Sequence, residues 1–296
     1  MTKDILIVGA GVVGSNLANE LRRLSPDVYD KEKHERNRIT RTTYDLIFIC
    51  VDTPYTREDP NNMTQVVEAI SENQRRLKGD GVFVIKSTVL PYRAHLLRKV
   101  FRERIVFSPE FYGDTPSSKD VHFDFTILGG DKADCIKVQR ILQNRYTGSH
   151  SFKIVSPELA CLAKYMENAF LATKVSFCAQ FFEICKEMDV NYEELRELFI
   201  LDPRVGASHT FIHSDSPYWD SHCLNKDVAA IAEAANNNAF LDSLIDWNDK
   251  QKNRYIKHKK RRTKRDAVTK RYSDSISMVF ASPDYVEQKA ALGSIH

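Results

Sequence analysis

The sequence predicts an α/β protein with an N-terminal doubly wound parallel sheet, followed by a mainly α-helical domain. Two observations support this prediction. Up to about residue 155, short β-branched and apolar runs alternate with helical segments, which is typical of βα units. From Pro157 onward the apolar residues recur at helical spacing instead. A sheet therefore gives way to helices near this point.

The elements of the first half follow a regular order. Strands are predicted in DILIVGA, DVYD, DLIFICV, GVFVIKS, RIVFSP, FTILGG and SFKIV, and helices are predicted through Leu21 and near residues 64–77. Parallel strands need crossover connections, which helices provide. The predicted domains are 1–155, which contains the sheet, and 156–250, which is mainly helical, with a basic tail over 251–296.

A long apolar stripe marks the helical domain. Its members are Leu159, Leu162, Met166, Phe170, Leu171, Val175, Cys178, Phe182 and Cys185. Together with the helix that reaches Trp247, this stripe offers more apolar surface than one small domain readily covers. The sequence therefore predicts a homodimer built mainly by the helical domain.

Charge is distributed unevenly along the chain. The formal net charge is +3, yet residues 249–271 contain twelve Lys or Arg against Asp249 and Asp266, so this segment carries +10 and the remainder about −7. Three interpretations of the segment stay open: a solvated helix extension or disordered arm, a phosphate-binding element, and a sequence-independent nucleic-acid contact. Nucleic acid is the less favoured binding partner.

The cysteines and the N-terminus indicate the compartment. Six cysteines are scattered without a CxxC pair, so neither a disulfide framework nor a metal site is predicted. No charged leader precedes a long apolar run, and no stretch reaches the roughly 18 apolar residues of a membrane span. We therefore expect a cytoplasmic protein with reduced thiols and no membrane association.

A glycine motif follows the first strand. Gly9, Gly11 and Gly14 form G-x-G-x-x-G between ILIV and a helix that begins near Val12. The first glycine allows a tight turn, the second lets the backbone approach a pyrophosphate, and the third permits close helix-to-strand packing. The helix N-terminus, at Val12 and Val13, attracts phosphate. This pattern predicts a Rossmann dinucleotide site.

An acidic residue ends the second strand. Asp30 lies sixteen residues after Gly14, where a carboxylate can accept hydrogen bonds from the adenosine ribose diol and repel a 2′-phosphate. NAD is therefore predicted in preference to NADP, although the positive charge of Lys31 opposes that preference. The alternative is a glycine-rich turn beside a surface aspartate.

Several further motifs occur in a fixed order. VDTP at residues 51–54, KSTVLP at 86–91 and SPEF at 108–111 precede PELACLAKYMENAFLATKVSF, LDPRVG and CLNKDV. Over roughly residues 3–250 this order resembles that of the UDP-glucose/GDP-mannose 6-dehydrogenase family, whose motifs include V-x-T-P, S-T-V-x-P, N-P-E-F and E-x-x-K-x-x-x-N. The resemblance implies an NAD-dependent, four-electron oxidation of a nucleotide sugar's primary alcohol to a carboxylate.

The resemblance also implies residue roles. Cys223 would be the nucleophile that forms a thiohemiacetal and then a thioester, while Lys164 and Asn168 would stabilise the substrate oxygen. Asp227 and Glu110 would orient or deprotonate water. Thr88 would hold a water and lie beside the dinucleotide. Val51, Thr53 and Pro54 would also lie beside the dinucleotide. Lys226 would supply positive charge at the cofactor site.

The sequence departs from the family in two places. Family members precede the nucleophile with G-x-G-G-S-C, whereas Tyr218, Asp220 and Ser221 stand at the glycine positions here, with Trp219 as a candidate apolar wall. The family's C-terminal nucleotide-binding domain has no counterpart before His296. Two alternatives therefore stay open: a dehydrogenase of a 3-hydroxy acid or another alcohol, and a non-catalytic homologue that binds NAD or nucleic acid.

Overall fold

A computed structural model describes residues 4–101, 104–111, 123–143, 150–236 and 238–280, with side chains described as far as residue 260. The strands are β1 (Ile5–Val8), β2 (Asp27–Tyr29), β3 (Tyr44–Ile49), β4 (Leu77–Ile85), β5 (Ile105–Phe107), β6 (Phe125–Gly129) and β7 (Ser151–Val155). The α-helices are α1 (Val12–Glu20), α2 (Thr64–Asn73), α3 (Pro91–Val100), α4 (Lys132–Gln143), α5 (Pro157–Glu187), α6 (Tyr192–Phe199), α7 (His222–Ala234) and α8 (Ala239–Phe280). Short 3-10 helices cover Arg22–Leu24, His34–Arg36 and Gln74–Arg76.

The seven strands form one sheet in the order β2-β1-β3-β4-β5-β6-β7, which confirms the predicted α/β fold. All neighbouring strands pair in parallel except β5 and β6, which are antiparallel. The strand order reverses between β1 and β3, so their carboxyl ends face a common crevice. Such a switch point is where open α/β sheets bind ligands.

Both faces of the sheet are apolar and covered. On one face Leu6, Ile47 and Phe83 join a buried cluster that includes α2 and α3 residues. On the other, Ile7 and Phe48 join a cluster that includes residues of α1 and α4. Strands buried on both sides need continuous apolar runs, as LIFI in β3 illustrates. The crossover from β2 to β3 contains only the His34–Arg36 turn in place of an α-helix.

Two glycines make the turn after β1 possible. Gly9 has φ +98°, a conformation that L side chains rarely adopt, and a Cβ there would lie 2.4 Å from the Cys50 carbonyl oxygen. A Cβ on Gly14 would lie 1.8 Å from the Gly9 carbonyl oxygen. Gly11 is different, because nothing lies within 4 Å of its Cβ position. The space beside Gly11 is available to a ligand.

The described residues pack into two compact units. The first unit takes its residues from Met1–Phe177 and Trp219–Ile245, and the second from Cys178–Tyr218 and Asp246–His296. The sheet ends at Val155, as predicted, but the first unit continues into the N-terminal part of α5 and also includes α7. Packing joins α5 to the sheet, because its Ala160 and Cys161 belong to the same buried cluster as residues of β1 and β3.

The second unit is helical. Asn191 caps α6 by accepting hydrogen bonds from the backbone N–H groups of Glu193 and Glu194. The Trp247 indole donates to Gln180 Oε1 over 3.1 Å, and Arg254 pairs with the buried Glu183 over 3.2 Å. These contacts fasten the first turns of α8 to the end of α5.

The basic segment continues the helix that precedes it. α8 is one helix from Ala239 to Phe280, which agrees with the helix-extension interpretation that the sequence left open. The segment has neither glycine nor proline to break the helix. The predicted tail therefore begins as helix, and its residues 281–296 lie outside the described residues.

We expect Gly14→Ala to lower the free energy of unfolding by about 1–3 kcal/mol, because the new methyl group collides with backbone that cannot move cheaply. Gly11→Ala is the matched control, with an expected change within about 0.5 kcal/mol, since its methyl group meets nothing. Urea unfolding of both variants measures the difference. A Gly14→Ala variant as stable as wild type would show that the close approach described here is incorrect.

Candidate functional site

The turn between β1 and α1 is closed by the acidic residue at the end of β2. The Asp30 carboxylate accepts a hydrogen bond from the Ala10 N–H over 2.6 Å, and two more from the N–H groups of Glu32 and Lys33 over 2.9 and 2.8 Å. Gly9 N–H donates to the Tyr29 carbonyl over 2.8 Å. The structure thus brings the glycine motif and Asp30 together, as the dinucleotide prediction requires.

These hydrogen bonds determine the charge of Asp30. Partial burial raises its pKa, but the N–H groups of Ala10, Lys33 and Glu32 outweigh that effect, and the net pKa is lowered. Asp30 is therefore an anion across the physiological range. Lys31, whose charge opposes an NAD preference, is instead paired with Glu68 and Glu72 over 3.5 and 3.6 Å.

Sequence reasoning missed a cation at this turn. Arg36 Nη1 donates to the Ala10 carbonyl over 2.7 Å and lies 3.4 Å from Ser15 Oγ. Arg36 lies beside the turn because the short β2–β3 crossover folds back onto β2. Two residues further on, Arg38 forms an antiparallel β-bridge with Val28 of β2. No recognisable motif contains it, so only the tertiary structure identifies it.

The loops after β3 and β4 meet at the same edge of the sheet. Thr53 is buried, and its hydroxyl donates to the Thr88 carbonyl over 2.8 Å. Asn61, which the motifs did not single out, donates to the same carbonyl over 3.1 Å and accepts from the Leu90 N–H over 2.9 Å. Asn61 therefore holds the S-T-V-x-P loop against the V-x-T-P loop.

A buried hydrogen bond joins α5 to α7. Asn168 Nδ2 donates to Asp227 Oδ2 over 2.6 Å, and both side chains are at most 3% exposed. Lys226 Nζ donates to Asp227 Oδ1 over 2.6 Å and to Thr53 Oγ1 over 3.3 Å. Three predicted site residues from α5 and α7 are thereby connected to the loop after β3.

Lys164 lies one turn before Asn168 on α5. Its ammonium group pairs with Glu167 over 2.7 Å and lies 5.1 Å from the ring centre of Phe111, the residue after Glu110. Burial raises the pKa of Glu167, the Lys164 charge opposes the rise, and the nearby Glu110 charge adds to it. Glu167 is a third residue that sequence reasoning missed, after Arg36 and Asn61.

A further ion pair lies beneath the site. Lys86 Nζ is 3.1 Å from Glu110 Oε2, and the other carboxylate oxygen accepts from the Phe111 N–H over 2.9 Å. Cys50 lies close by, and burial raises its pKa to about 12, with Lys86 opposing the rise. Cys50 is thus a protonated packing thiol that supports the glycine turn.

Cys223 is exposed and occupies the first turn of α7. Ser221 caps this helix by accepting from the Leu224 N–H over 3.2 Å. The preceding residue His222 lies 3.6 Å from Asp52 of the V-x-T-P loop. A helix N-terminus favours a thiolate, because the unpaired N–H groups carry partial positive charge. Cys223 is one helical turn before Asp227.

The altered loop before Cys223 has its own anchor. Trp219 is buried with Ala172, Leu224 and Val228, and its indole N–H donates to Ser176 Oγ over 3.0 Å. The Trp219 ring therefore belongs to the core and anchors the loop before Cys223. Asp220 accepts from Asn225 Nδ2 over 2.8 Å.

The fold and site define a dinucleotide-binding α/β protein of the dehydrogenase type. Models of two domains of the UDP-glucose/GDP-mannose dehydrogenase family match the chain, the NAD binding domain over residues 31–147 and the central domain over residues 158–250. The chain belongs to this family, and NAD is its cofactor. The match to the NAD binding domain begins at residue 31, after the glycine motif and Asp30. The assignment of the glycine turn is therefore supported by the geometry described above.

Similar proteins agree with this assignment. The UDP-glucose 6-dehydrogenase of Rickettsia prowazekii is 27% identical over 241 residues, which cover 75% of this chain and 55% of that protein. A UDP-glucose dehydrogenase from Pyrobaculum islandicum superposes with TM-score 0.68 at 20% identity, covering 84% of this chain and 68% of that one. The Mycobacterium tuberculosis 3-hydroxyisobutyrate dehydrogenase gives TM-score 0.60 at 14% identity, covering 85% and 96%.

The two structural matches show a shared fold. The chain spans about half the length of the curated relatives it matches. None of the helices among the described residues is both long and apolar enough to cross a membrane.

We expect Asp30→Ala to weaken NAD binding at least about tenfold and NADP binding much less, because only NAD has the free 2′-hydroxyl that the carboxylate accepts from. Lys31→Met is the control that should leave the NAD to NADP ratio unchanged, because Lys31 is held by α2. Isothermal calorimetry measures both ratios. Equal or tighter binding of NADP by the wild-type protein would refute the assignment of Asp30.

Proposed function

We propose that this protein is an NAD-dependent 6-dehydrogenase of a nucleotide sugar. It oxidises the primary alcohol to a carboxylate in two steps that together remove four electrons, with the overall balance of one alcohol, two NAD⁺ and one water giving one carboxylate, two NADH and three protons. The Asn168–Asp227 hydrogen bond most supports the proposal, because it connects predicted catalytic residues of α5 and α7.

The residues at the glycine turn fit the cofactor. Gly9 and Gly14 keep the turn free of side chains, so the N-terminus of α1 would receive the pyrophosphate and Asp30 would accept hydrogen bonds from the ribose diol. When bound, NAD would supply the hydride acceptor for both oxidations. Arg36 would add a positive charge at this turn.

The first oxidation needs a site for the alcohol oxygen. Lys164 and Asn168 lie on successive turns of α5, and they would stabilise the developing negative charge on that oxygen. Glu110 or Asp227 would receive the hydroxyl proton through water, with Thr88 holding one water by its hydroxyl. Glu167 maintains the position of the Lys164 ammonium group.

The second oxidation needs a nucleophile. The Cys223 thiolate adds to the aldehyde carbon and forms a carbon–sulfur bond, which gives a thiohemiacetal whose carbon can again lose hydride. The resulting thioester is attacked by water activated at Asp227, and the carbon–sulfur bond breaks to release the carboxylate and regenerate the thiol. Lys226 Nζ is in direct contact with Asp227 Oδ1 over 2.6 Å.

The cysteines and the exposed apolar stripe support proposals on location and assembly. All six cysteines, each within the described residues, are free thiols, and this chemistry suits the reducing cytoplasm. Leu159, Leu162, Met166 and Phe170 of the predicted stripe are exposed, whereas Cys178 and Cys185 are buried. The exposed part of the stripe is the surface that we propose a second copy covers, giving a homodimer.

A second candidate is the oxidation of a simpler alcohol, such as a 3-hydroxy acid, to a carbonyl product. The side chains of Asp220 and Ser221 at positions where the family has glycine favour it, because they occupy space that the sugar nucleotide loop leaves open. This reaction transfers two electrons and needs no nucleophile.

Stoichiometry separates the two candidates. Purified protein is incubated with NAD and a panel of UDP- and GDP-sugars, and NADH is counted against product identified by mass spectrometry. Two NADH per carboxylate supports the leading proposal, and one NADH per carbonyl product from an alcohol or 3-hydroxy acid supports the second. NAD binding without turnover on either panel indicates a non-catalytic homologue.

We expect Cys223→Ser to reduce carboxylate production at least about a hundredfold while leaving NAD affinity unchanged, because an alkoxide is expelled far less readily than a thiolate. Mass spectrometry should detect the sugar ester on the hydroxyl group that the substitution introduces. Cys135→Ser is the control, since Cys135 is a buried thiol on α4. Full steady-state carboxylate production by Cys223→Ser would eliminate the covalent mechanism.

We expect light scattering at micromolar concentration to give the mass of a dimer, and Met166→Glu to give a monomer, because a charge on the exposed stripe resists burial. Val100→Glu is the matched control, since Val100 is similarly exposed, at 71% against 75% for Met166, but lies on α3. A monomeric wild type, or dissociation by both variants alike, would contradict the proposed interface.

A further inference from the structure

We infer that Asn37 is a positioning residue for the cofactor site, because its side-chain oxygen holds the backbone of Asp30 and thereby determines where the Asp30 carboxylate meets the adenosine ribose. The observation that carries this inference is the hydrogen bond from the Asp30 N–H to Asn37 Oδ1, over 2.6 Å. The inference rests on the proposed role of Asp30 in accepting from the ribose diol. It is independent of which alcohol the protein oxidises.

β2 lies at one edge of the sheet, so only one of its sides has a neighbouring strand. On that side the Tyr29 carbonyl accepts from the Gly9 N–H over 2.8 Å. Backbone groups of successive strand residues point to opposite sides, so Val28 and Asp30 direct their N–H groups to the open edge. An edge strand has no strand partner for such groups. They need acceptors from elsewhere in the chain.

The chain that returns from β2 supplies these acceptors. Arg38 exchanges two backbone hydrogen bonds with Val28, over 2.8 and 3.0 Å, and the side chain of Asn37 provides the acceptor for Asp30. Asn37 is itself fixed, because its own N–H donates to the His34 carbonyl over 3.0 Å and the next residue is held in the bridge to β2. Asn37 therefore stands where a strand partner of Asp30 would stand.

The carboxylate of Asp30 depends on this support. It already accepts from three backbone N–H groups, those of Ala10, Glu32 and Lys33. A carboxylate has about four lone-pair sites, so a ribose hydroxyl must fit what remains. Glu32 and Lys33 follow Asp30 directly in the chain and move with it. The bond to Asn37 instead ties Asp30 to the end of the loop, and a binding group needs such support to stay within roughly 0.5 Å of its place.

The effect of Asn37 should be larger for NAD than for NADP. Only NAD has the free 2′-hydroxyl that donates to the carboxylate, because NADP carries a phosphate there. A displaced carboxylate loses this hydrogen bond with NAD, whereas NADP has none to lose. A residue that only holds the fold together would change both affinities alike.

The test measures NAD and NADP binding by calorimetry in the full chain. Asn37→Ala should weaken NAD binding about threefold to tenfold, the effect of one hydrogen bond, and should lower the NAD to NADP affinity ratio accordingly. Asn191→Ala is the matched control, since it removes an amide oxygen that accepts backbone N–H groups at the start of α6, and it should leave the ratio unchanged. A wild-type ratio in Asn37→Ala, or equal loss of NAD and NADP affinity, overturns the inference.

Two further variants show whether Asn37 acts through Asp30. In an Asp30→Ala background, Asn37→Ala should weaken NAD binding by less than about twofold more, because residues that act as one unit are not additive. A full further loss would overturn the inference. Asn37→Asp keeps an acceptor oxygen in the same place, so its NAD affinity should lie closer to wild type than that of Asn37→Ala, and an equal loss in both variants would contradict the inference.

The same measurements separate this inference from the role of Asp30. If Asp30→Ala leaves NAD binding unchanged, the proposed role of Asp30 fails and the inference fails with it. If Asp30→Ala weakens NAD binding and Asn37→Ala does not, the inference alone is wrong. Should Asn37→Ala not fold, Asn37→Gln is measured in its place, since it moves the amide oxygen by one methylene. It should lower the ratio in the same direction, and an unchanged ratio overturns the inference.

Discussion

The site depends on one buried hydrogen bond, from Asn168 to Asp227. These residues are 59 positions apart in the chain, and the bond fastens α7 to α5 where both helices present site residues. One turn away on each helix lie Lys164 and Cys223. A buried carboxylate without partners would be costly, so the amide and Lys226 together make this packing possible. Loss of that contact would loosen α7, which carries Cys223, from α5, which carries Lys164.

Three lysine–carboxylate pairs organise the charge of the site. They are Lys86 with Glu110, Lys164 with Glu167 and Lys226 with Asp227, at 3.1, 2.7 and 2.6 Å. Burial makes an isolated charge unfavourable, so removing one member of a pair would destabilise the packing around the other.

The substrate side of the site is the part that departs most from the family. In place of glycines, the loop before Cys223 has side chains with defined partners: Trp219 in the core against Ser176, and Asp220 beside Asn225. A loop anchored by a buried indole has less freedom to wrap a ligand than a glycine loop. The cofactor side, in contrast, retains the glycine turn and its acidic neighbour. The NAD assignment therefore follows from better preserved features than the proposed substrate does.

The sequence alone determined the strand order along the chain, the glycine turn, Asp30 and the motif residues, because each depends on local spacing or on an ordered set of short motifs. Tertiary structure alone decided which residues meet. Asn61, Arg36 and Glu167 belong to no predicted motif role, yet folding places them against Thr88, Ala10 and Lys164. It also decided that Trp219 is core and that α8 continues through the basic segment. Contacts between distant segments depend on packing, and packing leaves no periodic signal in one sequence.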